Sequence, residues 1–482
     1  MPLLRRSPHV RRLTLMSHFI FNREDVAVSL PAGTVTLDFV RRRGGLTGTK
    51  EGCREGDCGA CMVLLGEPRG DGMFYRAVNS CLLPVANLAG RHLVTIEGLN
   101  LDGLNPIQQA FVAEGAAQCG FCTPGFIVSF LGLLLSSPRW TASAAEDALA
   151  GNLCRCTGHL AIRRAIARVC ADLTDPPPTD LGDRLRQLVA HQWLPPYFLE
   201  ISGRLRRAEP TTTTNDSGVL IGGGTDLFVQ RAEELIEAPL ALLSRRDDLR
   251  GVRVANGRCV IGAATRWAEL EDSPDFNEVL PGIAEHLRLF ASRPIRHRAT
   301  VGGNLVNASP IGDLTILLLA LDAELALADG EGRRSVRLRD FFRGYKQLDK
   351  LPEEIITHVS FPIPPPAAVL GFEKVSRRRH LDIASVNSAM LAVRDHGILT
   401  AIHLSAGGVA PVPLYLTGAA GCLLGKPVTA ANLRAALAAA AAEISPISDV
   451  CGTAAYKRAL LRNLLIAHFL KLAPELEEEL TP

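Results

Sequence analysis

A multidomain α+β protein is predicted from three features of the sequence. The 482 residues suffice for about three domains of ordinary size. Short strand-like segments punctuated by Gly and Pro occupy residues 17–98 and give way to helical spacing from Asn105 onward. Two proline-rich breaks, "DLTDPPPTDLGD" and "FPIPPP", then set off further segments in which strands and helices mix.

In order along the chain, residues 1–16 read as an N-terminal extension, a tail or upstream start ahead of Met16. Residues 17–98 contain the strands "HFIFN", "VAVSL", "GACMVLL" and "RHLVTIEGL", a small sheet domain. Residues 99–172 read as a helical bundle: Asn105 is placed to cap a helix with Pro106 at its first position, and "TPGFIVSFLGLLLSSP" and "GHLAIRRAIARVCADL" follow with helical spacing. Residues 173–198, with three consecutive prolines, read as an extended connector carrying a helical segment. Residues 199–366 mix Gly-rich turns with strands and helices, and residues 367–482 alternate strands with alanine-rich helices, an α/β C-terminal domain.

Composition narrows the function. A net charge of +2 and a hydrophobic fraction of 47% describe an ordinary globular protein, so no nucleic-acid partner is expected. The apolar run Phe126–Leu135 is far shorter than the roughly 18–20 residues of a membrane span, so no membrane association is expected. Arginines interrupt the apolar residues of the N-terminus and leave no signal-peptide core. Twelve cysteines without such a signal point to metal or redox duty in the cytoplasm.

Eight of those cysteines fall in two sets. Cys53, Cys58 and Cys61 in "GCREGDCGAC", with Cys81 in "VNSC", have the C-x4-C-x2-C…C order of a plant-type [2Fe-2S] centre. Glycines around them allow unusual dihedrals and close approach of amides to sulfur. Zinc is the competing ion, but a loop that supplies three ligands fits the usual two-by-two zinc knuckles less well. Cys119 and Cys122 in "QCGFCTPG", and Cys154 and Cys156 in "NLCRCTGH", each precede a predicted helix, whose N-terminal amides and dipole would offset the charge of a second thiolate cluster. The remaining four cysteines, Cys170, Cys259, Cys422 and Cys451, are scattered and read as small buried hydrophobes.

Two Gly-rich segments follow. In "VLIGGGTDL" an apolar strand runs into Gly222, Gly223 and Gly224, and "ATVGGNLVNASPIGD" repeats the theme at Gly302 and Gly303. Small residues in succession let main-chain amides approach a diphosphate, and two such loops can clamp one dinucleotide, with Asp313 available for a hydroxyl. Neither has the G-x-G-x-x-G spacing of a Rossmann site.

Taken with "FEKVSRRRHLDIASV", these motifs resemble the molybdenum hydroxylases throughout the chain, and most closely the iron-sulfur and FAD subunits of the bacterial xanthine dehydrogenase branch. The resemblance implies a β-grasp ferredoxin-like [2Fe-2S] domain, a four-helix-bundle [2Fe-2S] domain, a non-Rossmann FAD domain of the vanillyl-alcohol-oxidase type and the C-terminal domain. It implies FAD contacts from Leu220, Ile221, Gly222, Gly223, Gly224, Thr225, Asp226 and Leu227, and from Thr300, Val301, Gly302, Gly303 and Asn304. Phe290 is similar to an aromatic that stacks on the adenine side, Asp313 to an FAD-contacting aspartate and Lys374 to a lysine near the isoalloxazine. Lys374 as a solvated surface charge and Phe290 as a core residue are the other readings. The substrate would be oxidised on a molybdopterin-binding large subunit, in a dimer of heterodimers. Electrons from hypoxanthine or xanthine would pass through the second cysteine set, then the first, to FAD and NAD+. An equivalent subunit of an aldehyde or N-heterocycle hydroxylase, and a non-enzymatic redox sensor, are the alternatives. Departures from the family pattern are His159, where Tyr is usual, and "GGVAPVPLYL".

Overall fold

In a computed structural model, residues 14–173, 176–207 and 218–480 are described. The expected extension therefore lies largely outside them, but the first strand already begins at Thr14, with Met16 paired to Ser29 inside it. The chain packs as two units: residues 14–245 with 292–298, and residues 246–291 with 299–480.

The first unit opens with β1 (Thr14–Phe21), β2 (Glu24–Pro31), β3 (Met62–Arg69), β4 (Gly72–Asn79) and β5 (His92–Val94), in the sheet order β2-β1-β5-β3-β4. Only the β1–β5 pair is parallel. β4 escapes a reading by apolar runs because Arg76 interrupts "MFYRAVN"; the structure buries that guanidinium against Glu67. One face of the sheet carries a core of Phe19, Phe39, Val63, Val78 and Leu93.

Helices cover the other face: α1 (Pro106–Ala113), α2 (Thr123–Ser136), α3 (Ala142–Leu149), α4 (Leu160–Asp172) and α5 (Leu181–Ala190). Asn105 caps α1 in a full capping box, its side chain accepting from Gln108 N at 3.0 Å while Gln108 Oε1 accepts from Asn105 N at 2.9 Å. Every residue of α2 from Gly125 to Leu135 is buried, so this helix is the spine of the unit, hydrophobic all round because its neighbours surround it. The connector expected over 173–198 is not a free linker. Leu188, Trp193, Leu194 and Phe198 are all buried in the core of α1–α4, because the amphipathic α5 had an apolar stripe to bury. The unit ends in β6 (Val219–Ile221), α6 (Leu227–Gln230) and β7 (Leu240–Leu242), with β6 and β7 parallel.

The second unit holds two larger antiparallel sheets and a two-stranded one, in which Phe342–Gly344 pairs with Gln347–Leu348. β8 (Val252–Ala255) and β9 (Arg258–Gly262) come first, then α7 (Val301–Asn307) and α8 (Asp313–Ala320). β10 (Glu324–Ala328), β11 (Arg333–Arg337) and β12 (Ile355–Pro362) complete a sheet of order β11-β10-β12-β9-β8. β13 (Ala368–Val375), β14 (Val386–Asp395), β15 (Ile398–Gly407) and β16 (Leu414–Tyr415) form the other in sequence order. α9 (Thr417–Leu423), α10 (Ala430–Glu443) and α11 (Ala454–Leu472) share a core with it through Met390, Leu404, Leu433, Leu465 and Phe469.

Where α2 crosses β4 the contact leaves no room for a side chain: a Cβ on Gly132 would lie 2.9 Å from both Cβ and N of Ala77. Gly132→Val is therefore expected to destabilise the first unit by about 1–3 kcal/mol through overpacking, checked as a lower urea midpoint for the loss of its fluorescence and circular dichroism signals.

Candidate functional site

The cysteines of the first unit lie on loops, and the sequence around them explains why. In residues 52–61, Gly56 and Gly59 have φ of +80° and +70°, and Arg54 joins them in the left-handed region at +59°. Arg54 is held there by Asp38 and Glu51, with its Nη2 2.6 Å from Asp38 Oδ1. This winding turns main-chain N–H groups inward. Glu55 N donates to Cys53 Sγ at 3.3 Å, and Cys58 N to the same sulfur at 3.4 Å. Cys53 N donates to Cys58 Sγ at 3.4 Å, and Cys61 and Cys81 Sγ lie 3.4 Å apart. The proximity of thiols polarises each pair: a hydrogen bond from Cys58, supported by the amides, pulls Cys53 down to about 5, and a hydrogen bond from Cys81 holds Cys61 below the ordinary thiol value.

The second set sits where the helices were expected. Cys122 is the N-cap of α2, and Cys154 and Cys156 precede α4. Cys119 and Cys156 Sγ are 3.5 Å apart, and Cys122 is hydrogen-bonded to Cys154. Cys119 and Cys156 are exposed, whereas Cys61 and Cys81 are buried. Thr157 donates through its N at 3.4 Å and places its hydroxyl 3.1 Å from Cys154 Sγ. Among the described residues, no three His, Cys, Asp or Glu converge on a point suited to one metal ion; the eight thiols stand as four pairs. That grouping suits centres of two irons, each iron holding two thiolates, better than a single tetrahedral zinc.

His159 is a residue whose part the sequence hides. Named above only as a departure from the family pattern, it takes φ +68° at the N-cap of α4, and its Nε2 accepts from Cys154 N at 3.1 Å. Its ring stands edge-on to Phe126, 5.7 Å between centroids. The preceding Gly158, also at positive φ, is the local signal for this turn. Asn152 is a second such residue, its Nδ2 donating to Gly59 O at 3.2 Å, beside a Leu153 N to Cys58 O bond of 3.0 Å. Of the scattered cysteines, Cys259 is buried as expected, while Cys170, Cys422 and Cys451 are partly exposed.

The two Gly-rich loops belong to different units and differ in kind. In the first, β6 delivers Gly222, Gly223 and Gly224 into a turn with Gly224 at φ +75°, and Arg298 Nη2 clamps Gly223 O at 2.5 Å. Among the described residues, no protein acceptor takes the N–H groups of Gly222, Gly223, Gly224 or Thr225. They form a concave set of donors suited to a diphosphate. Ile221 is fully buried, and Leu220, Asp226 and Leu227 border the turn.

The second loop corrects an expectation. Its amides are already engaged: Val301 N with Thr265 O at 3.0 Å, Gly302 N with Ala263 O at 2.7 Å, Gly303 N with Thr300 Oγ1 at 3.1 Å and Asn304 N with Thr300 O at 3.1 Å. Thr300 is the N-cap of α7, and Gly302 lets that helix lie against Ala263, whose Cβ would be 3.0 Å from an added one. The loop is therefore a capped helix start and not a second cradle of free amides. Polar side chains remain, with Asn304 Oδ1 accepting from Thr315 Oγ1 at 2.7 Å.

Asp313, the first residue of α8, receives Lys374 Nζ at 2.7 Å and Asn387 Nδ2 at 2.6 Å. Burial pushes its carboxyl above the usual range, while Lys374 and Asn387 pull it back. Lys374 is no solvated surface charge: its side chain is 4% exposed and its Nζ also donates to Leu289 O at 3.1 Å. Phe290, offered as a stacking aromatic, is fully buried, with its ring 4.8 Å from Phe372 and 6.2 Å from Trp267. With no face open, it is a core residue.

Comparison with known proteins finds four known domain types along the chain. Residues 19–86 match the 2Fe-2S iron-sulfur cluster binding domain and residues 95–167 the [2Fe-2S] binding domain. Residues 204–364 match the FAD binding domain in molybdopterin dehydrogenase, and residues 372–472 the CO dehydrogenase flavoprotein C-terminal domain. The chain is 30% identical over 471 residues to xanthine dehydrogenase 1 of Arabidopsis thaliana, covering 81% of this chain and 34% of that protein. It is 28% identical over 481 residues to xanthine dehydrogenase of Emericella nidulans, covering 85% and 35%. The chain thus spans about a third of the length of these relatives. A solved carbon monoxide dehydrogenase from Hydrogenophaga pseudoflava is similar at 30% identity, over 51% of this chain and 86% of that one, with a TM-score of 0.49. Two [2Fe-2S] domains and two flavoprotein domains joined in this order identify the chain as a member of the molybdenum hydroxylase family, of its small iron-sulfur and FAD electron-transfer subunit type.

Proposed function

We propose that the chain serves a xanthine dehydrogenase, receiving electrons from a molybdopterin-binding large subunit that oxidises hypoxanthine or xanthine to urate, and delivering them to NAD+. The observation that carries this reading is the gathering of eight thiols into four close pairs on loops bonded to each other through Cys58 and Leu153. Curated relatives named xanthine dehydrogenase support the choice of substrate.

In this reading Cys53, Cys58, Cys61 and Cys81 would hold one cluster, and Cys119, Cys122, Cys154 and Cys156 would hold the other. Bound [2Fe-2S] clusters supply one-electron transfer, and FAD joins that to two-electron exchange with NAD+. The chain's own residues prepare these sites. The amides of Glu55, Cys58 and Thr157 point at sulfur and stabilise thiolate. His159 fixes the Cys154 amide, Arg298 fixes the first Gly loop for the FAD diphosphate, and Lys374 and Asp313 present a buried polar pair to the flavin site. The resemblance assigns further FAD contacts to Thr300, Val301, Gly302, Gly303 and Asn304, among which Thr300 and Asn304 offer polar side chains.

The test is anaerobic co-purification with the large subunit followed by xanthine-dependent NAD+ reduction. An aldehyde-only response would replace xanthine with another substrate, and a colourless, zinc-containing protein would end the electron-transfer reading. About four irons and four sulfides per FAD are expected. Cys156→Ser is expected to remove about half the iron while the other cluster's paramagnetic resonance signal persists. His159→Phe keeps the ring against Phe126 but removes the acceptor of Cys154 N, and is expected to shift one of the two cluster signals only. Lys374→Met leaves the Asp313 carboxylate uncompensated, which is expected to cost about 3–5 kcal/mol in the second unit, seen as a lower melting temperature together with reduced FAD content.

A further inference from the structure

The first cysteine set has a dry side and a wet side. Cys61 and Cys81 are 2% and 3% exposed, whereas Cys53 and Cys58 are only half-buried and Gly52 beside them is open to solvent. The dry side is not closed by its own loop alone. Cys61, Cys81 and Leu82 share a core with Ile221 of β6 and Phe228 of α6, and Ile295 packs against that core from the remote segment 292–298.

Ile295 has a particular place in this cover. Gly56 turns at φ +80°, and a Cβ on it would meet Leu82 Cδ1 at 2.7 Å and Ile295 Cδ1 at 2.8 Å, so two methyl groups close over its bare backbone. Beneath them the Gly56 amide is hydrogen-bonded to the Cys81 thiol, and the Gly56 carbonyl accepts from Asn79 Nδ2 at 3.2 Å. Leu82 is fully buried, and the half-buried Ile295 is the outer member of the pair. The segment that carries Ile295 is anchored by its neighbours. Arg296 meets Asp147 at 3.0 Å, His297 Nδ1 lies 2.9 Å from Ala77 O, and Arg298 Nη2 reaches Gly223 O at 2.5 Å. With those contacts holding the backbone, what the isoleucine side chain adds is cover.

We infer that Ile295 is the solvent seal of the first cluster and holds its reduction potential low by keeping water from Gly56 and Cys81. This rests on the reading that Cys53, Cys58, Cys61 and Cys81 hold a [2Fe-2S] cluster. Reduction adds a negative charge to a group that is already anionic. Water near the sulfurs stabilises that added charge and raises the potential, and a hydrocarbon in its place withholds the stabilisation. Leu82 adjoins the ligand Cys81 in sequence, so changing it would disturb the ligand loop itself. Ile295 comes from far along the chain and can be changed without touching the spacing of the thiols.

The experiment uses the full chain loaded with iron and FAD, as wild type, Ile295→Val, Ile295→Ala, Ile295→Asn and the conservative Ile295→Leu. Two quantities are read on each cluster's paramagnetic signal: the midpoint potential by redox titration, and the depth of deuterium modulation in spin echoes after exchange into D2O. The first cluster's signal is the one that persists in Cys156→Ser. Ile295→Ala is expected to favour reduction of the first cluster about tenfold, a rise of ~59 mV for one electron. Ile295→Val should shift it the same way by less and Ile295→Asn by more, with deeper deuterium modulation in step, while Ile295→Leu and the second cluster stay at wild-type values. Ile295→Val lacks only Cδ1, the atom over Gly56, and decides the matter if the larger changes cost iron. Unchanged potential and modulation in Ile295→Val and Ile295→Asn at full iron content would overturn the seal alone. Equal shifts of both signals, or a shift without added deuterium, would assign Ile295 to loop packing and overturn it as well. A wild type that takes up no iron would overturn the seal together with the cluster reading.

Discussion

The first unit depends on a contact that excludes side chains. A Cβ on Gly125 would lie 2.1 Å from Gly59 O, and one on Gly59 would lie 2.4 Å from Gly151 O. Two loops and the first turn of α2, each carrying or flanking cysteines, therefore meet backbone to backbone, joined by Leu153 N to Cys58 O and by Asn152 Nδ2 to Gly59 O. Substituting a larger residue at any of these glycines would force the loops apart, and with them the two cysteine sets. This packing holds the segments that carry the two cysteine sets against each other, so the spacing of glycines is as much a structural requirement as the spacing of thiols.

That contact also explains why a remote segment is recruited. Residues 292–298 lie far along the chain yet pack in the first unit, where Ser292 and Pro294 crowd Gly151 and Ile295 Cδ1 reaches Gly56. Arg296, fully buried, meets Asp147 of α3 at 3.0 Å, and His297 Nδ1 lies 2.9 Å from Ala77 O. Burying an arginine is tolerable only with its charge answered, and Asp147 answers it. The segment braces the cysteine loops from behind, and Arg298 at its end reaches Gly223 of the first Gly loop.

How much of this was legible in the sequence follows from where each property resides. Ligand chemistry lives in residue type and local spacing, so the eight cysteines and their helix-start context could be read directly. α1 was equally plain, since its capping box spans only Asn105 to Gln108. The second Gly loop misled because its amides are answered by Ala263 and Thr265, acceptors almost forty residues away in sequence that no local pattern reveals. Phe290 and Lys374 were ambiguous for the same reason: an aromatic or a lysine has no fixed role until its neighbours are known, here Phe372 and Trp267 for one and Asp313 for the other. The connector was misjudged from its prolines, which end helices but do not prevent the next segment from packing.

Two means of holding negative charge are thus separated in the structure. Around the cysteines and the first Gly loop the donors are backbone amides, which are fixed by the fold, carry no titrating proton and lose no side-chain entropy on binding. On the loop beyond β13, at Arg377, Arg378 and Arg379, they are guanidinium groups on exposed side chains, strong but solvated. Amides suit groups that stay bound, because their field is present at all times and survives changes in salt. Exposed arginines suit a ligand that must come and go, because solvent competes for them and screening shortens their reach. The donors at the cysteines and the first Gly loop are thus of the kind that suits a group held without exchange.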